Sequence, residues 1–336
     1  MKFDVVIGNP PYQVSDGGGT GDSAKPVYND FIDVAKSMKP NVLSMICPSR
    51  WMKGGKGLDE FRNRMMEDTH LKSIHDFENP ADFFPAVHID GGVNYFLWSK
   101  TYKGKCHFYH KGLDGYKDET FRFLKNGIID TVIRDSRQIS IIEKALSQNE
   151  EKFSQIVSSR KPYGIATDLF NCPEKYKDLD LIYIPKEGYL KIYGVKGNKG
   201  GAKRMIGYIK KTSLKTGLSS ILKYKLFFSY AYSTGATVPP EIIVGKPYEI
   251  ATETFLQIGN FDTEKECRNC LQYVKTKFFR ALLYFNRIQK NASNKTFAIM
   301  PIQNFNESWT DEKLYKKYGL TREEIDFIES MIKPME

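Results

Sequence analysis

Residues 3 to 12 read Phe-Asp-Val-Val-Ile-Gly-Asn-Pro-Pro-Tyr, a short apolar run that passes directly into a stiff polar turn. Each proline fixes its own φ near about −65° and holds the residue before it extended, so the Pro10 carbonyl is aimed before any ligand arrives. An apolar strand that delivers such a turn to the carboxyl end of a sheet marks a ligand site in an α/β fold. The residue types suit one chemistry. An amine conjugated with a ring or a carbonyl has a delocalised lone pair and is a poor nucleophile. Acceptors on both of its N–H groups draw it toward tetrahedral geometry, and the Asn9 side-chain oxygen and the Pro10 carbonyl form such a pair. Tyr12 adds a flat face on which a base can stack, a contact worth roughly 1 to 3 kcal/mol.

Asn9-Pro10-Pro11-Tyr12 resembles the signature of amino-group methyltransferases that use S-adenosylmethionine. The resemblance implies Asn9, Pro10, Pro11 and Tyr12 as the catalytic residues and S-adenosylmethionine as the cofactor. No general base is required, because the methylated amine becomes acidic and sheds its proton. The tetrapeptide alone is shared by adenine-N6 DNA methyltransferases and by the glutamine methyltransferases that act on release factors.

The residues that follow favour DNA. Val27 to Lys39 carries apolar or aromatic residues at Val27, Tyr28, Phe31, Ile32, Val34, Ala35 and Met38, a broad helical face. Val42 to Cys47 reads as a strand buried on both faces, and Leu58, Phe61 and Met65 share one side of a second helix. Further strands are expected at Leu71 to Phe77 and Gly92 to Ser99, completing part of a doubly wound, Rossmann-like α/β sheet with Asn9 at its carboxyl edge. Between those two strands, Asn79 to Trp98 resembles a block of the restriction-modification adenine methyltransferases in which a Phe-Pro pair supplies a second aromatic wall for an extruded adenine. The resemblance matches Phe84 to that wall, with Phe83 the adjacent alternative. Tyr273 to Arg280, Met300 to Phe305 and Leu314 to Leu320 are similar to the C-terminal region of Type II adenine methylases, including those fused to an endonuclease.

One departure stands against these matches. In this class the cofactor pocket is built upstream of the Asn-Pro-Pro-Tyr strand, from a glycine-rich strand-to-helix turn and an acidic residue that binds the ribose. Here two residues precede Phe3, and the glycine cluster Gly17 to Gly21 follows the motif without a strand before it. It is expected to be a loop near the substrate. The chain therefore reads as the C-terminal portion of a methyltransferase, inactive without an upstream cofactor-binding half.

A net charge of +10 and a pI near 9.1 favour a polyanionic partner. The excess concentrates between Lys186 and Lys215, where nine Lys or Arg face one acid, Glu187, and tyrosines and glycines interleave. Lys199, Lys203 and Arg204 are the expected phosphate contacts of a DNA-binding surface. Cys267 and Cys270 have metal-ligand spacing but no second pair, so no metal is expected. His107 and His110 sit in an alternating strand without an acidic neighbour and read as structural. Five cysteines without a disulfide framework suit a reducing cytoplasm, and no run of about 18 apolar residues suggests a membrane span.

Three regions are expected: a partial methyltransferase domain over 1–150, ending in a helix around Asp135 to Gln148; an α+β target-recognition domain over 151–304; and a helical tail over 305–336. A long amphipathic helix from Glu266 to Gln289 should close the second, with Leu271, Val274, Phe278, Leu282 and Phe285 on one face. Thr321 and Glu324 form a capping box in the tail. The functional expectation is the catalytic-loop and recognition portion of a site-specific DNA adenine-N6 methyltransferase, with double-stranded DNA and an upstream half or a restriction subunit as partners. The alternative is a DNA-recognition subunit that transfers nothing. A protein-glutamine methyltransferase is disfavoured by the large basic region after the sheet.

Overall fold

The computed structural model describes residues 3–15, 24–85, 89, 91–125, 127–197, 201–231, 237–239, 242–286 and 292–335. The chain divides into two compact units, Met1–Ser140 and Ile141–Glu336. No helix among the described residues is long and apolar enough to cross a membrane.

In the first unit the elements run β1 (Val5–Gly8), β2 (Gln13–Ser15), β3 (Ala24–Pro26), α1 (Tyr28–Ser37), β4 (Val42–Pro48), α2 (Asp59–Glu67), β5 (Leu71–Phe77), β6 (Val93–Ser99), β7 (Cys106–Lys111) and β8 (Lys117–Arg122). Six of them form one sheet in the order β1-β4-β6-β5-β7-β8, and β2 pairs with β3 outside it. β1 and β4 are parallel, with Val5 opposite Val42 and Gly8 opposite Met45. β5 and β7 are also parallel. β6 runs antiparallel to both of its neighbours, β4 and β5, and β8 runs antiparallel to β7. The sheet is therefore mixed, with the fourth expected strand doubling back between two strands of the parallel set.

Layering follows from residue period. Leu43, Met45 and Cys47 of β4, Ile74 of β5, Phe96 of β6 and Phe108 of β7 pack on Tyr28, Ile32 and Ala35 of α1 and Phe61 and Met65 of α2. Alternate residues of β4 stay half-buried, so this strand is one-sided where a two-sided strand was expected. The opposite face carries an aromatic ladder: His75 stacks on Tyr95 at 4.7 Å, and His107 on Phe121 at 4.6 Å. The apolar residues of Val27 to Lys39 also divide into two stripes. Tyr28, Ile32 and Ala35 are buried, while Phe31, Val34 and Met38 are exposed.

The boundary between the units falls within α3 (Ser136–Leu146). In the second unit, β9 (Tyr189–Lys196) and β10 (Lys203–Lys210) are antiparallel partners, with Lys196 opposite Lys203. β11 (Tyr224–Ser229) lies between β12 (Ile243–Gly245) and β14 (Phe255–Phe261), and β13 (Glu249–Ala251) adds to β9 in parallel. The expected long helix is two, α4 (Glu264–Lys275) and α5 (Lys277–Asn286), broken at Thr276, whose backbone is extended at ψ 150°. The cause lies far along the chain. The Asp311 carboxylate accepts from the Lys277 and Phe278 amides, at 3.0 and 2.8 Å, and starts a new helix there. Residues 287–289, the expected end, lie outside the described residues. Cys267 and Cys270 lie in the buried face of α4.

The tail holds α6 (Asp311–Lys317) and α7 (Arg322–Met331), the latter begun by the Thr321/Glu324 capping box. Phe278 of α5 stacks on Tyr318 at 5.0 Å, and Phe305 packs on Tyr273 and Phe261, so the tail belongs to the second unit's core.

Candidate functional site

Gly8 ends β1, and Asn9 is the first residue beyond its carboxyl end. Asn9 and Pro11 are exposed, Pro10 is buried, and Tyr12 is half-buried. Tyr12 is tied back at its backbone, where its carbonyl accepts from the Val27 amide at 3.3 Å, at the start of α1. The tetrapeptide is thus anchored at both ends, by β1 before it and α1 after it, with the Asn9 side chain projecting from an anchored turn. Burial pushes the Tyr12 phenol up to about 12, with the Cys47 thiol beside it adding to the effect. The Tyr12 hydroxyl is buried without a partner among the described residues.

The second wall is set by a local device. Asn79 accepts from the Ala81 amide at 3.1 Å and caps a short 3-10 turn, Pro80–Asp82, whose Pro80 carbonyl accepts from the Phe84 amide at 2.9 Å. Asp82 is held by Lys111 at 2.9 Å. The two phenylalanines then part. Phe83 packs on Phe77 at 4.7 Å and on Tyr95 at 6.1 Å. Phe84 meets Tyr12, ring centroids 6.3 Å apart and planes at 79°. Two segments 72 positions apart therefore bring their aromatic rings together beside Asn9 (84 − 12 = 72). The rings meet edge to face, so a base stacked between them requires one ring to turn.

Beneath the site lies a polar cluster that sequence reading missed. Arg134 grips Asp76 bidentately, Nε to Oδ2 at 2.6 Å and Nη2 to Oδ1 at 2.8 Å. His110 Nδ1 is 2.8 Å from Asp76 Oδ2, and Ser49 Oγ donates to Oδ1 at 2.6 Å. With Asp76 ionised, His110 must carry the donated proton on Nδ1. Asn94 donates to Ser49 Oγ and to the Cys47 carbonyl, both at 3.2 Å. The Ser49 amide donates to the Gly92 carbonyl at 2.9 Å, and Arg134 Nη1 to the Gly91 carbonyl at 2.9 Å. Gly92 is required where it stands: its φ is +87°, and a Cβ would lie 2.2 Å from the Phe77 carbonyl oxygen. Burial alone would raise the Asp76 carboxyl, but the Arg134 guanidinium and His110 outweigh it and hold the group below the usual range. The cluster fixes the carboxyl end of β4 against the entry to β6. His110 has an acidic partner after all, and His107 lies 3.3 Å from Glu119. One signal was available: Asp76 falls on the buried, Ile74 side of an apolar strand, where a charge needs a partner.

The described residues fit the amine side of a methyl transfer and do not fit a whole S-adenosylmethionine. β4 is the one described neighbour of β1, and its carboxyl end is Pro48-Ser49-Arg50, with Ser49 already engaged. The nearest buried carboxylate, Asp76, is fully committed to Arg134, Ser49 and His110. Gly17 to Gly21 lies outside the described residues.

Of the expected phosphate contacts, Lys199 lies outside the described residues, and Lys203 and Arg204 are exposed on β10. As consecutive strand residues they point to opposite faces. Arg204 shares its face with Tyr208, across from Val195 and Lys191, and its guanidinium lies 5.5 Å from the Phe255 ring. Lys191 is neutralised by Glu249 at 3.1 Å. Lys196, Lys210 and Lys211 are exposed nearby.

Residues 1–84 match the model of the Eco57I restriction-modification methylase family. An uncharacterised adenine-specific methylase of Mycoplasma pneumoniae is 35% identical over 151 residues, 44% of this chain and 36% of that protein. The chain thus spans little more than a third of the curated relative it matches. Among solved structures, the type IIG restriction endonuclease BpuSI overlaps 98% of this chain and 48% of its own, at 12% identity and a TM-score of 0.39. The Type IIL restriction-modification enzyme MmeI, solved in complex with DNA, overlaps 99% and 55%, at 9% identity and a TM-score of 0.40.

Proposed function

We propose that this chain is the catalytic-loop and target-recognition portion of a DNA adenine-N6 methyltransferase of a restriction-modification system, working with a half that binds S-adenosylmethionine. The observation that carries the reading is the meeting of Tyr12 and Phe84 beside Asn9 at the end of β1. The match of residues 1–84 to a restriction-modification methylase model and the similarity to an adenine-specific methylase support it.

In this reading an adenine leaves the duplex and enters between Tyr12 and Phe84, at the unstacking cost of a few kcal/mol typical of such enzymes. Its amino group then donates one hydrogen bond to the Asn9 side-chain oxygen and one to the Pro10 carbonyl. Both acceptors are held by the anchored turn, so little reorganisation accompanies the change at nitrogen. Pro11 keeps the turn stiff. The exposed cations of β9 and β10, with Lys199, Lys203 and Arg204 among them, neutralise phosphates of the flanking duplex. The protein acts in the cytoplasm, where its DNA is.

The test is product identity. The chain combined with a cofactor-binding half, S-adenosylmethionine and duplex DNA should yield N6-methyladenine on nucleoside digestion, and the chain alone should yield none. Turnover by the chain alone, or methylation at cytosine or on protein glutamine, would contradict the reading.

A further inference from the structure

The two ends of the first unit's sheet are finished differently. β8, at one end, is Lys-Asp-Glu-Thr-Phe-Arg, a charged edge of the kind that discourages strand pairing. β1, at the other, is Val-Val-Ile-Gly, with no charge in the strand and no second neighbour among the described residues. Val5 is 57% exposed and Ile7 76%. Immediately above, α1 has two apolar sides. One is buried on the sheet, and the other leaves Phe31 47%, Val34 54% and Met38 44% exposed, spaced so as to form one stripe. A helix apolar on both sides is a helix packed on both sides, and an apolar parallel edge is a strand paired on both edges.

We infer that the outer edge of β1 and the exposed stripe of α1 together seat the cofactor-binding half, whose strand pairs in parallel with β1 and whose helix covers Phe31, Val34 and Met38. The inference rests on the methyl-acceptor reading of Asn9. Geometry selects this occupant. Chain order in the sheet runs from β1 toward β4, so a strand added outside β1 makes β1 the point where the order reverses. Ligands of open α/β sheets lie at the carboxyl ends of strands at such a point. That crevice would open beside Asn9, where a methyl donor has to be. A second copy of this chain fits less well: a two-fold axis would pair β1 with β1 antiparallel and carry the two Asn9 residues to opposite ends.

Ile7→Lys and Val34→Glu test it, because both residues are exposed and neither belongs to the amine site. Phe121→Lys, on the charged β8 edge, is the control. The cofactor-binding half is the segment preceding the matching strand of the Mycoplasma pneumoniae relative, expressed separately. Light scattering after size exclusion should show a one-to-one complex with the unsubstituted chain and with Phe121→Lys. Ile7→Lys and Val34→Glu should weaken it by about tenfold or more, since each would bury an unpaired charge. Unchanged melting temperatures of the isolated variants would show that folding is intact. Failure of the unsubstituted chain to bind, full binding by both variants, or a homodimer that Ile7→Lys dissolves would each overturn the inference. A complex that forms, is lost in the variants, and yields no N6-methyladenine would uphold this interface and sink the proposed reaction instead.

Discussion

The β1 margin and the β9–β10 pair are both strand-borne surfaces, and their chemistry is opposite. The first exposes Val5, Ile7, Phe31 and Val34 with no cation in the strand; the second exposes Lys196, Lys203, Arg204 and Lys210. Water leaves an apolar surface most favourably when another apolar surface replaces it, so the first margin asks for protein. A clustered cationic surface gains most from a polyanion that releases its counterions, so the second asks for nucleic acid. The two surfaces lie in different units, and the partners they suit divide in the same way.

The comparison requires that the β1 margin be exposed on an intact sheet, and the Asp76 cluster is what keeps the sheet's carboxyl end in place. Arg134→Leu leaves a buried carboxylate without its cation and should destabilise the first unit by about 3 to 5 kcal/mol. Denaturant unfolding followed by a first-unit probe such as Trp51 should report the loss, while the second unit is unaffected. The pH dependence has a definite sign. The folded-state pKa of Asp76 is depressed, so its contribution is present above the unfolded value of about 3.9 and is lost as pH falls through the folded value. Acid melting of the first unit should therefore begin below pH of about 4 in the native chain, and at higher pH in Arg134→Leu. Coincident acid curves would remove Asp76 from the account.

A smaller effect is expected at the aromatic walls. Tyr12→Ala and Phe84→Ala should each weaken the extruded state by roughly 1 to 3 kcal/mol, read from a fluorescent base analogue at the target position in the assembled enzyme. Phe83→Ala should do less, because Phe83 is occupied with Phe77 and Tyr95. Equal losses at Phe83 and Phe84 would erase the distinction between them.

The smallest single effects belong to the basic surface. Lys203→Ala and Arg204→Ala should each lower the slope of log K against log salt by about 0.9 if each contacts one phosphate. Because the two point to opposite faces of β10, loss of slope at one alone would identify which face meets DNA, and loss at neither would assign both to solvent.

What the sequence disclosed was local. The Asn9 to Tyr12 turn, the strand at Leu71 to Phe77 and the Thr321/Glu324 cap are each specified by neighbouring residues, and each lies in the structure where its residue pattern puts it. What it hid was set by distant partners. Nothing between Tyr273 and Phe278 announces a helix break; Asp311 imposes it by capping the Lys277 and Phe278 amides. The antiparallel course of β6 depends on strand pairing, which an apolar run alone does not specify. Arg134 lies 58 positions from Asp76 and His110 lies 34, so a lone charge in a strand gave the need for partners without their names.

The central claim is that Asn9 accepts a hydrogen bond from the amine that is methylated, and the most direct measurement is single-turnover methyl transfer by the assembled enzyme carrying Asn9→Ala. The side chain is exposed and makes no described contact within the fold, so stability, DNA affinity and base-analogue fluorescence should change little. The transfer rate should fall by roughly 10²-fold or more, the scale for losing one preorganised hydrogen-bonding group. Normal single-turnover transfer by Asn9→Ala would reduce the tetrapeptide to a turn and contradict the account.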